Sequence, residues 1–464
     1  MKINTLFVGT SNFSIYTLET LTKLDFINLI GIITQPDKPV GRHQSIYQAS
    51  PVKKWVLENL GDIQIFQPIK LLDKSSEILD KTKPDLIVVA SYAQMIPENM
   101  LNYPKYKCLN IHASLLPQLR GATPIQMAIL KGLGKTGVSL VIMTKKLDAG
   151  DIISQKEINI SSDDTALSLE RKLGKLSQKI LTQDLKFWIN GKIKPIKQNE
   201  DEATFCYIKD VSKEKAKILP TDDAILIDRK IRAFYPSPVS WSFLKSPKDN
   251  KQKDGIEANE KFKGKRFKIF KAKILDDCWV NKKGLKLFKS KRSLILRADV
   301  GWLEILEFQL EGKKRMNGSD YLFLPIDRAL SVRGILVYKN KVLMMYRKKM
   351  GKEYLATPGG SVGVHESFKN ALVREFKEET GLDVEIKDLI DINKNKGNKS
   401  NFVYIHYVYL VKLKGKFQEP IVNGEEREYD ESQNYYKPKW FDIDEALSYD
   451  ISKIVKKYLL SLKK

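Results

Sequence analysis

The sequence predicts an α/β protein whose first half is a doubly wound parallel sheet, and three observations carry that reading. A chain of 464 residues is too long for one ordinary core; at about 150 residues per domain it divides into two to four. Short apolar runs alternate with helical periodicity through the first half. Those runs are continuous rather than alternating, which is the pattern of strands buried on both faces.

The elements follow in order. "INTLFVG", "INLIGIIT", "IQIFQP", "DLIVVAS", "CLNIHAS" and "TGVSLVIM" read as strands, separated mostly by helical stretches such as "FSIYTLETLTKL". "VGTSNF" after the first strand holds one glycine, without the GxGxxG spacing of a dinucleotide site. Ligands of such sheets bind beyond the carboxyl ends of the strands, and "NIH" stands at such an end. Residues i and i+2 of an extended strand face one side, so Asn110 and His112 can converge on one small group. Downstream, "KKLDAGD" sets Asp148 in a loop after the next strand, where a carboxylate can hold the imidazole.

Composition limits the rest. With 42% hydrophobic residues the chain can bury its cores, and no run approaches the roughly 18 apolar residues of a membrane helix. The N-terminus reads as a strand and turn, so a cytoplasmic protein is expected. Cys108, Cys206 and Cys278 are odd in number and far apart, the pattern of buried free thiols. A net charge of +24 favours a polyanionic partner. Between Lys245 and Arg297 lie 18 Lys and Arg against 6 Asp and Glu, in strand-like runs such as "KGKRFKIFKAKIL". A basic face on a small β domain suits a phosphate backbone. "KSPKDNKQKDGIEANEKFKGK" is polar and charge-rich, and is expected to be an insertion without fixed structure.

Near the C-terminus "SVRGILVYKNKVLMMYRKK" reads as a β-hairpin turning at "KN", followed by "YLATPGGSVGVHESFKNALVREFKEETGLDV". On a helix starting near Ser367, Glu375, Glu378 and Glu379 stand at i, i+3 and i+4 and share a face. Like charges so placed repel, which makes sense if a hard divalent cation such as Mg²⁺ sits among them. The run "NGEEREYDE" reads as a solvated loop, the alternative being that it adds a metal ligand.

Beyond these readings, "NIHASLLPQLRGATPIQ" followed by "TGVSLVIMTKKLDAGDI" resembles the 10-formyltetrahydrofolate-dependent formyltransferases. The resemblance implies Asn110, His112 and Asp148 as catalytic residues. It implies a folate site formed by Tyr92, Met95, Ile96, Ser114, Leu115, Leu116 and Pro117. "TQPDKPVGRHQSIYQASPVK" is similar to the inserted loop of the methionyl-tRNA formyltransferases, with Gly41 and Arg42 matching the arginine that reaches the tRNA acceptor end. "IRAFYPSPVSW" and "GKKRMNGSDYL" resemble the start and end of their C-terminal domain, an oligonucleotide-binding (OB-like) β-barrel that binds tRNA. Domains at 1–190 and 205–327, joined by a linker at 191–204, follow from that resemblance.

Residues 328–464 resemble a Nudix hydrolase, an α/β/α domain, through Gly360, Glu366, Arg374, Glu375, Glu378, Glu379 and Gly381 at the signature spacing. That resemblance implies Glu375, Glu378 and Glu379 as ligands of Mg²⁺ or Mn²⁺, with Glu378 sharing the metal or activating water. Gly360, Glu366, Arg374 and Gly381 take structural roles, Arg374 pairing with Glu366. Gly363 stands where the family often has an acidic residue, and His365 where it usually has glycine. Together the resemblances imply a monomeric enzyme that formylates initiator methionyl-tRNA, carrying a module that hydrolyses a nucleoside diphosphate derivative and folds alone. The alternatives are a small amine acceptor such as an amino sugar, and a C-terminal module that binds nucleotide or RNA without catalysis.

Overall fold

The structure, a computed structural model, describes residues 2–40, 46–246, 255–258, 263–275, 284–290, 293–323, 328–349, 352–362, 366–396, 403–421 and 434–463. Gly41, Arg42, Cys278, Gly363, His365 and all of "NGEEREYDE" lie outside the described residues. Contacts divide the chain into two compact units. No helix among the described residues is long and apolar enough to cross a membrane.

The first unit holds Met1–Ala216 and Arg229–Val239. Its elements are β1 (Ile3–Gly9), α1 (Asn12–Lys23), β2 (Ile27–Ile33), β3 (Lys38–Val40), β4 (Ile46–Gln48), α2 (Pro51–Asn59), β5 (Ile65–Phe66) and α3 (Leu71–Thr82). Then come β6 (Leu86–Ala90), α4 (Glu98–Asn102), β7 (Cys108–His112), β8 (Arg120–Gly121), α5 (Pro124–Leu130), β9 (Lys135–Ile142), β10 (Ile152–Asn159), α6 (Ala166–Ile189) and β11 (Phe205–Cys206). The sheet order is β10-β9-β7-β6-β1-β2-β5.

Alternate residues of each central strand feed two cores. Phe7, Val88, Leu109 and Ile111 pack with Leu18 and Leu21 of α1 and Leu169, Leu173 and Ile180 of α6. Leu6, Val8, Ile87, Val89 and Cys108 pack on the other face with Ile78 and Leu79 of α3 and Met100 of α4. This is why the strands read as unbroken apolar runs: both faces are covered. Helix α6 starts at a capping box in which Thr165 Oγ1 accepts from Ser168 N and Ser168 Oγ accepts from Thr165 N.

The five strands from β7 to β5 are parallel, as expected. "TGVSLVIM" departs from the expectation: β9 runs antiparallel to β7, and β10 antiparallel to β9. The connection between β7 and β9 holds β8 and the seven-residue helix α5.

The second unit holds Lys217–Asp228 and Ser240–Lys464. After α7 (Ala224–Ala233) come β12 (Ser240–Lys245), β13 (Ile256–Glu257), β14 (Arg266–Leu275), β15 (Lys286–Ser290), β16 (Ser293–Arg297), β17 (Trp302–Leu310) and β18 (Arg315–Asn317). Strands β13-β12-β14-β17-β16-β15 are neighbours in that order, and Glu257 pairing with Lys286 closes them into a six-stranded barrel. Strand β13 corrects the reading of "KSPKDNKQKDGIEANEKFKGK" as wholly unstructured. Ile256 is fully buried and pairs with Leu244. One apolar residue in a polar run gives no periodicity to read. Strand β14 buries Phe267 and Ile269 and exposes Lys271 and Lys273.

The remaining elements are β19 (Arg328–Tyr338), β20 (Lys341–Lys349), β21 (Lys352–Ala356), α8 (Phe368–Thr380), β22 (Val384–Lys396), β23 (Val403–Leu413), β24 (Asn434–Asp442), α9 (Ile443–Ser448) and α10 (Lys453–Ser461). Strands β19 and β20 form the expected hairpin across Lys339 and Asn340. Strand β19 also pairs parallel with β23. Helix α8 covers one face of the sheet through Phe368, Leu372 and Phe376, and α9 and α10 cover the other through Ala446, Val455 and Leu459. The result is an α/β/α sandwich.

The face under α8 does not close on its own residues. Leu275, Phe288, Ile295 and Trp302 of the barrel belong to the same core cluster. Fully buried Trp302 meets the rings of Phe288, Phe368 and Tyr407 at centroid separations of 5.1, 5.5 and 5.7 Å, and Lys289 of β15 pairs with Ala329 of β19. This shared core departs from the expectation that residues from 328 onward fold alone. Truncating a buried aromatic costs about 3–5 kcal/mol. Trp302→Ala should therefore destabilise barrel and sandwich together by about that amount. Hydrogen exchange resolved by segment checks this: weakened protection confined to the barrel would contradict the shared core.

Candidate active site

Strand β7 presents Asn110 and His112 on one side, as its two-residue repeat requires. Both are buried, 8% and 5% exposed. The loop after β9 brings Asp148 to them. Asn110 Nδ2 donates to Asp148 Oδ1 at 3.2 Å, and His112 Nδ1 lies 3.6 Å from Asp148 Oδ2. A third donor, Gly121 N of β8, reaches Asp148 Oδ2 at 2.8 Å. His112 Nε2 is 2.9 Å from the Leu119 carbonyl oxygen, so Nε2 carries the hydrogen and donates it. Asn110 has a second Nδ2 hydrogen beyond the one given to Asp148.

Sequence reasoning missed the residues that shape this cluster from outside β7. Gly121 sits at φ +117°, and a side chain there would press its Cβ to 2.1 Å from the Cys206 carbonyl oxygen. Glycine thus lets β8 pair with β11 while its own N–H holds Asp148. Leu119, whose carbonyl fixes His112, is held in turn by its N–H to Thr204 Oγ1 at 2.8 Å. Residues 191–204 were expected as a linker, yet they return to the site. Two-residue strands give no periodicity, so nothing in the sequence signalled it.

The folate-site residues implied by resemblance are scattered in exposure. Tyr92 is half-buried beside the core under α3; burial pushes its hydroxyl up to about 12. Met95 is 71% exposed. Ile96, Ser114 and Leu116 are buried, with Ser114 Oγ donating to the Gln118 carbonyl oxygen at 2.6 Å. Leu115 and Pro117 are partly exposed. Gln94 turns away: its Oε1 accepts from Leu71 N at 2.8 Å and caps α3.

In the sandwich, α8 begins at Ser367, which accepts from Asn370 N, and ends at Gly381 in the left-handed region. Glu375 and Glu379 are buried, 7% and 9% exposed, and the Glu378 side chain is 54% exposed. Glycine at 360 leaves room for Glu375, since a Cβ there would lie 2.2 Å from its carboxylate. Gly359 N donates to Glu379 Oε2 at 2.7 Å.

Arg374 forks onto Glu366 at 2.8 and 3.1 Å, and its Nη1 reaches Glu375 Oε1 at 2.8 Å and Glu378 Oε2 at 2.9 Å. The bonds to Glu366 first and to Glu375 next hold its pKa above the usual arginine range, against the opposing effect of burial. A cation is therefore not the only group that offsets the carboxylate repulsion: Arg374 already does so for two of the three. Among the described residues, no three His, Cys, Asp or Glu side chains are grouped closely enough to hold a metal ion. The donor set is nonetheless all carboxylate oxygen, which fits a hard divalent cation.

The two sites match known families. The pattern described as formyl transferase matches residues 1–185, that of the formyl transferase C-terminal domain residues 210–323, and that of the NUDIX domain residues 327–462. The methionyl-tRNA formyltransferase of Mesoplasma florum is 37% identical over 321 residues, covering 69% of this chain and 95% of that protein. That of Lactobacillus gasseri is 38% identical over 319 residues, 68% of this chain and 94% of its own length. Among solved structures, the sugar 3N-formyl transferase WlaRD covers 68% of this chain and 100% of its own at 21% identity, with a TM-score of 0.46. The fold and the matched patterns define a formyl transferase. The chain belongs to the methionyl-tRNA formyltransferase family, with a NUDIX domain following in the same polypeptide.

Gly121→Ala tests the cradle around Asp148. Strain at such a backbone position costs about 1–3 kcal/mol, and the Cys206 carbonyl must move as well. Denaturant unfolding should show a loss of at least that size; a variant as stable as its parent would contradict the close approach.

Proposed function

We propose that the protein transfers the formyl group of 10-formyltetrahydrofolate to the amino group of methionyl-initiator tRNA, acting as a monomer in the cytoplasm. The observation that carries this reading is the convergence of Asn110, His112 and Asp148 in a buried cluster. The amine attacks the formyl carbon, and the carbonyl oxygen gains negative charge in the tetrahedral intermediate; its collapse breaks the bond from the formyl carbon to the folate N10, which leaves as tetrahydrofolate and takes up the proton that the amine gives up. Asn110 offers that oxygen its second Nδ2 hydrogen. His112 exchanges the Leu119 carbonyl for the oxyanion as its hydrogen-bond acceptor. Asp148 orients both and steadies charge on the ring. Donors fixed in advance where charge develops are the largest ordinary source of catalysis. Domains at 1–190 and 205–327 would carry folate and tRNA respectively, with Arg42 reaching the acceptor end and the Lys271 and Lys273 face of the barrel meeting the phosphate backbone.

The sandwich, in this reading, hydrolyses a nucleoside diphosphate derivative. Glu375, Glu378 and Glu379 would hold Mg²⁺ or Mn²⁺, which supplies charge neutralisation at the diphosphate. Glu378 is the exposed member of the three, and in this reading it is the one that meets substrate. Arg374 keeps Glu366 against the helix.

His112→Ala and Asp148→Asn should each lower formyl transfer by about 10²- to 10³-fold, with much smaller losses in folate binding. Single-turnover kinetics with charged tRNA check this, and near-normal turnover in either variant contradicts the assigned roles. Glu378→Gln should abolish Mg²⁺- or Mn²⁺-dependent hydrolysis across a nucleotide panel and leave formyl transfer unchanged. Failure of the unaltered protein to hydrolyse any member would favour a binding module instead.

A further inference from the structure

We propose that Gln198 is a positioning residue for formyl transfer, acting through Asp148. The proposal rests on the transfer reading above and adds a residue outside β7 and the Asp148 loop. Gln198 is 5% exposed, and its amide is satisfied at both ends. Nε2 donates to the carbonyl oxygens of Asp148 at 2.8 Å and Gly150 at 2.6 Å. Oε1 accepts from Arg120 Nε at 3.1 Å and Nη2 at 2.8 Å. The amide cannot be reversed, because its NH₂ would then face a guanidinium that has only donors.

Arg120 is the other half of the device. Only 2% exposed, it is a buried cation, and it binds Glu200 in a fork at 3.0 and 2.9 Å. The residue after it, Gly121, gives its N–H to the Asp148 carboxylate. A closed ring results: the Asp148 backbone to Gln198, Gln198 to Arg120, Arg120 along the chain to Gly121, and Gly121 back to the Asp148 side chain. Asp148 needs such a ring. It stands at φ +45°, a conformation that persists in a non-glycine residue when its surroundings over-determine it. Gly121 fixes one carboxylate oxygen, and Gln198 fixes the backbone from which the carboxylate swings. Loosening that backbone moves the carboxylate relative to His112 and Asn110, and a displacement near 1 Å can cost about 10²-fold in rate.

The alternative is that Gln198 only satisfies buried polar groups. Gln198→Glu separates the two, since it keeps an acceptor for Arg120 and removes both donors to the Asp148 loop. Gln198→Met, of similar length and without polar atoms, is the second variant. We expect a kcat for transfer from 10-formyltetrahydrofolate to charged tRNA lowered by about 10- to 100-fold, an unchanged KM for the folate, and retained folding by circular dichroism. In an Asp148→Asn background the same substitution should cost little more, because two residues acting as one unit are not additive. Full activity of folded Gln198→Glu, or a full additional loss in the Asp148→Asn background, overturns the proposal, as does failure of both variants to fold. Absence of transfer by the unaltered protein overturns the functional reading itself, and this proposal with it.

Discussion

The Asp148 carboxylate is the group around which the first unit is arranged. It accepts from Gly121 N and Asn110 Nδ2 and faces His112 Nδ1. Hydrogen bonds to a charged acceptor each contribute about 1.5–3 kcal/mol. The alternating pleat of β7 delivers two of these partners, and the glycine that lets β8 lie against β11 delivers the third. The same segment that closes the unit, returning through Thr204 and Cys206, fixes the Leu119 carbonyl on which His112 rests. The fold of this segment and the geometry of the proposed catalytic cluster therefore depend on the same few bonds. Of the two proposed donors, Asn110 is held in advance by Asp148, whereas His112 must turn its Nε2 hydrogen away from the Leu119 carbonyl when charge develops.

Arg374 has a comparable place in the second unit. Four bonds from one guanidinium gather Glu366, Glu375 and Glu378 at the edge of α8. The helix is seated by Phe368, Leu372 and Phe376 in a core that Trp302 of the barrel also enters. The sandwich and barrel thus share apolar surface that either would expose alone, and exposed apolar area costs roughly 25 cal/mol per Å².

Much of this was legible. Continuous apolar runs identified β1, β2, β6 and β7, the i and i+2 spacing paired Asn110 with His112, and the spacing of Glu375, Glu378 and Glu379 placed them on α8. Less legible was anything set by long-range pairing. The direction of β9 is set by its antiparallel pairing with β7. The barrel strand β13 has two residues and one buried isoleucine. The return of residues 196–206 rests on side-chain amides and hydroxyls that look the same in a linker as in a clamp. Repulsion within the acidic helix was visible, but Arg374 as its internal counterion needed the fork geometry.

The most direct test is formyl transfer from 10-formyltetrahydrofolate by the unaltered full-length protein, with charged initiator tRNA and an amino-sugar nucleotide competing as acceptors. The account predicts formyl-methionyl-tRNA as the dominant product, with a rate that falls steeply as salt rises, because phosphate contacts release counterions. Preferential formylation of the amino sugar, or transfer to tRNA that is indifferent to salt, would contradict it.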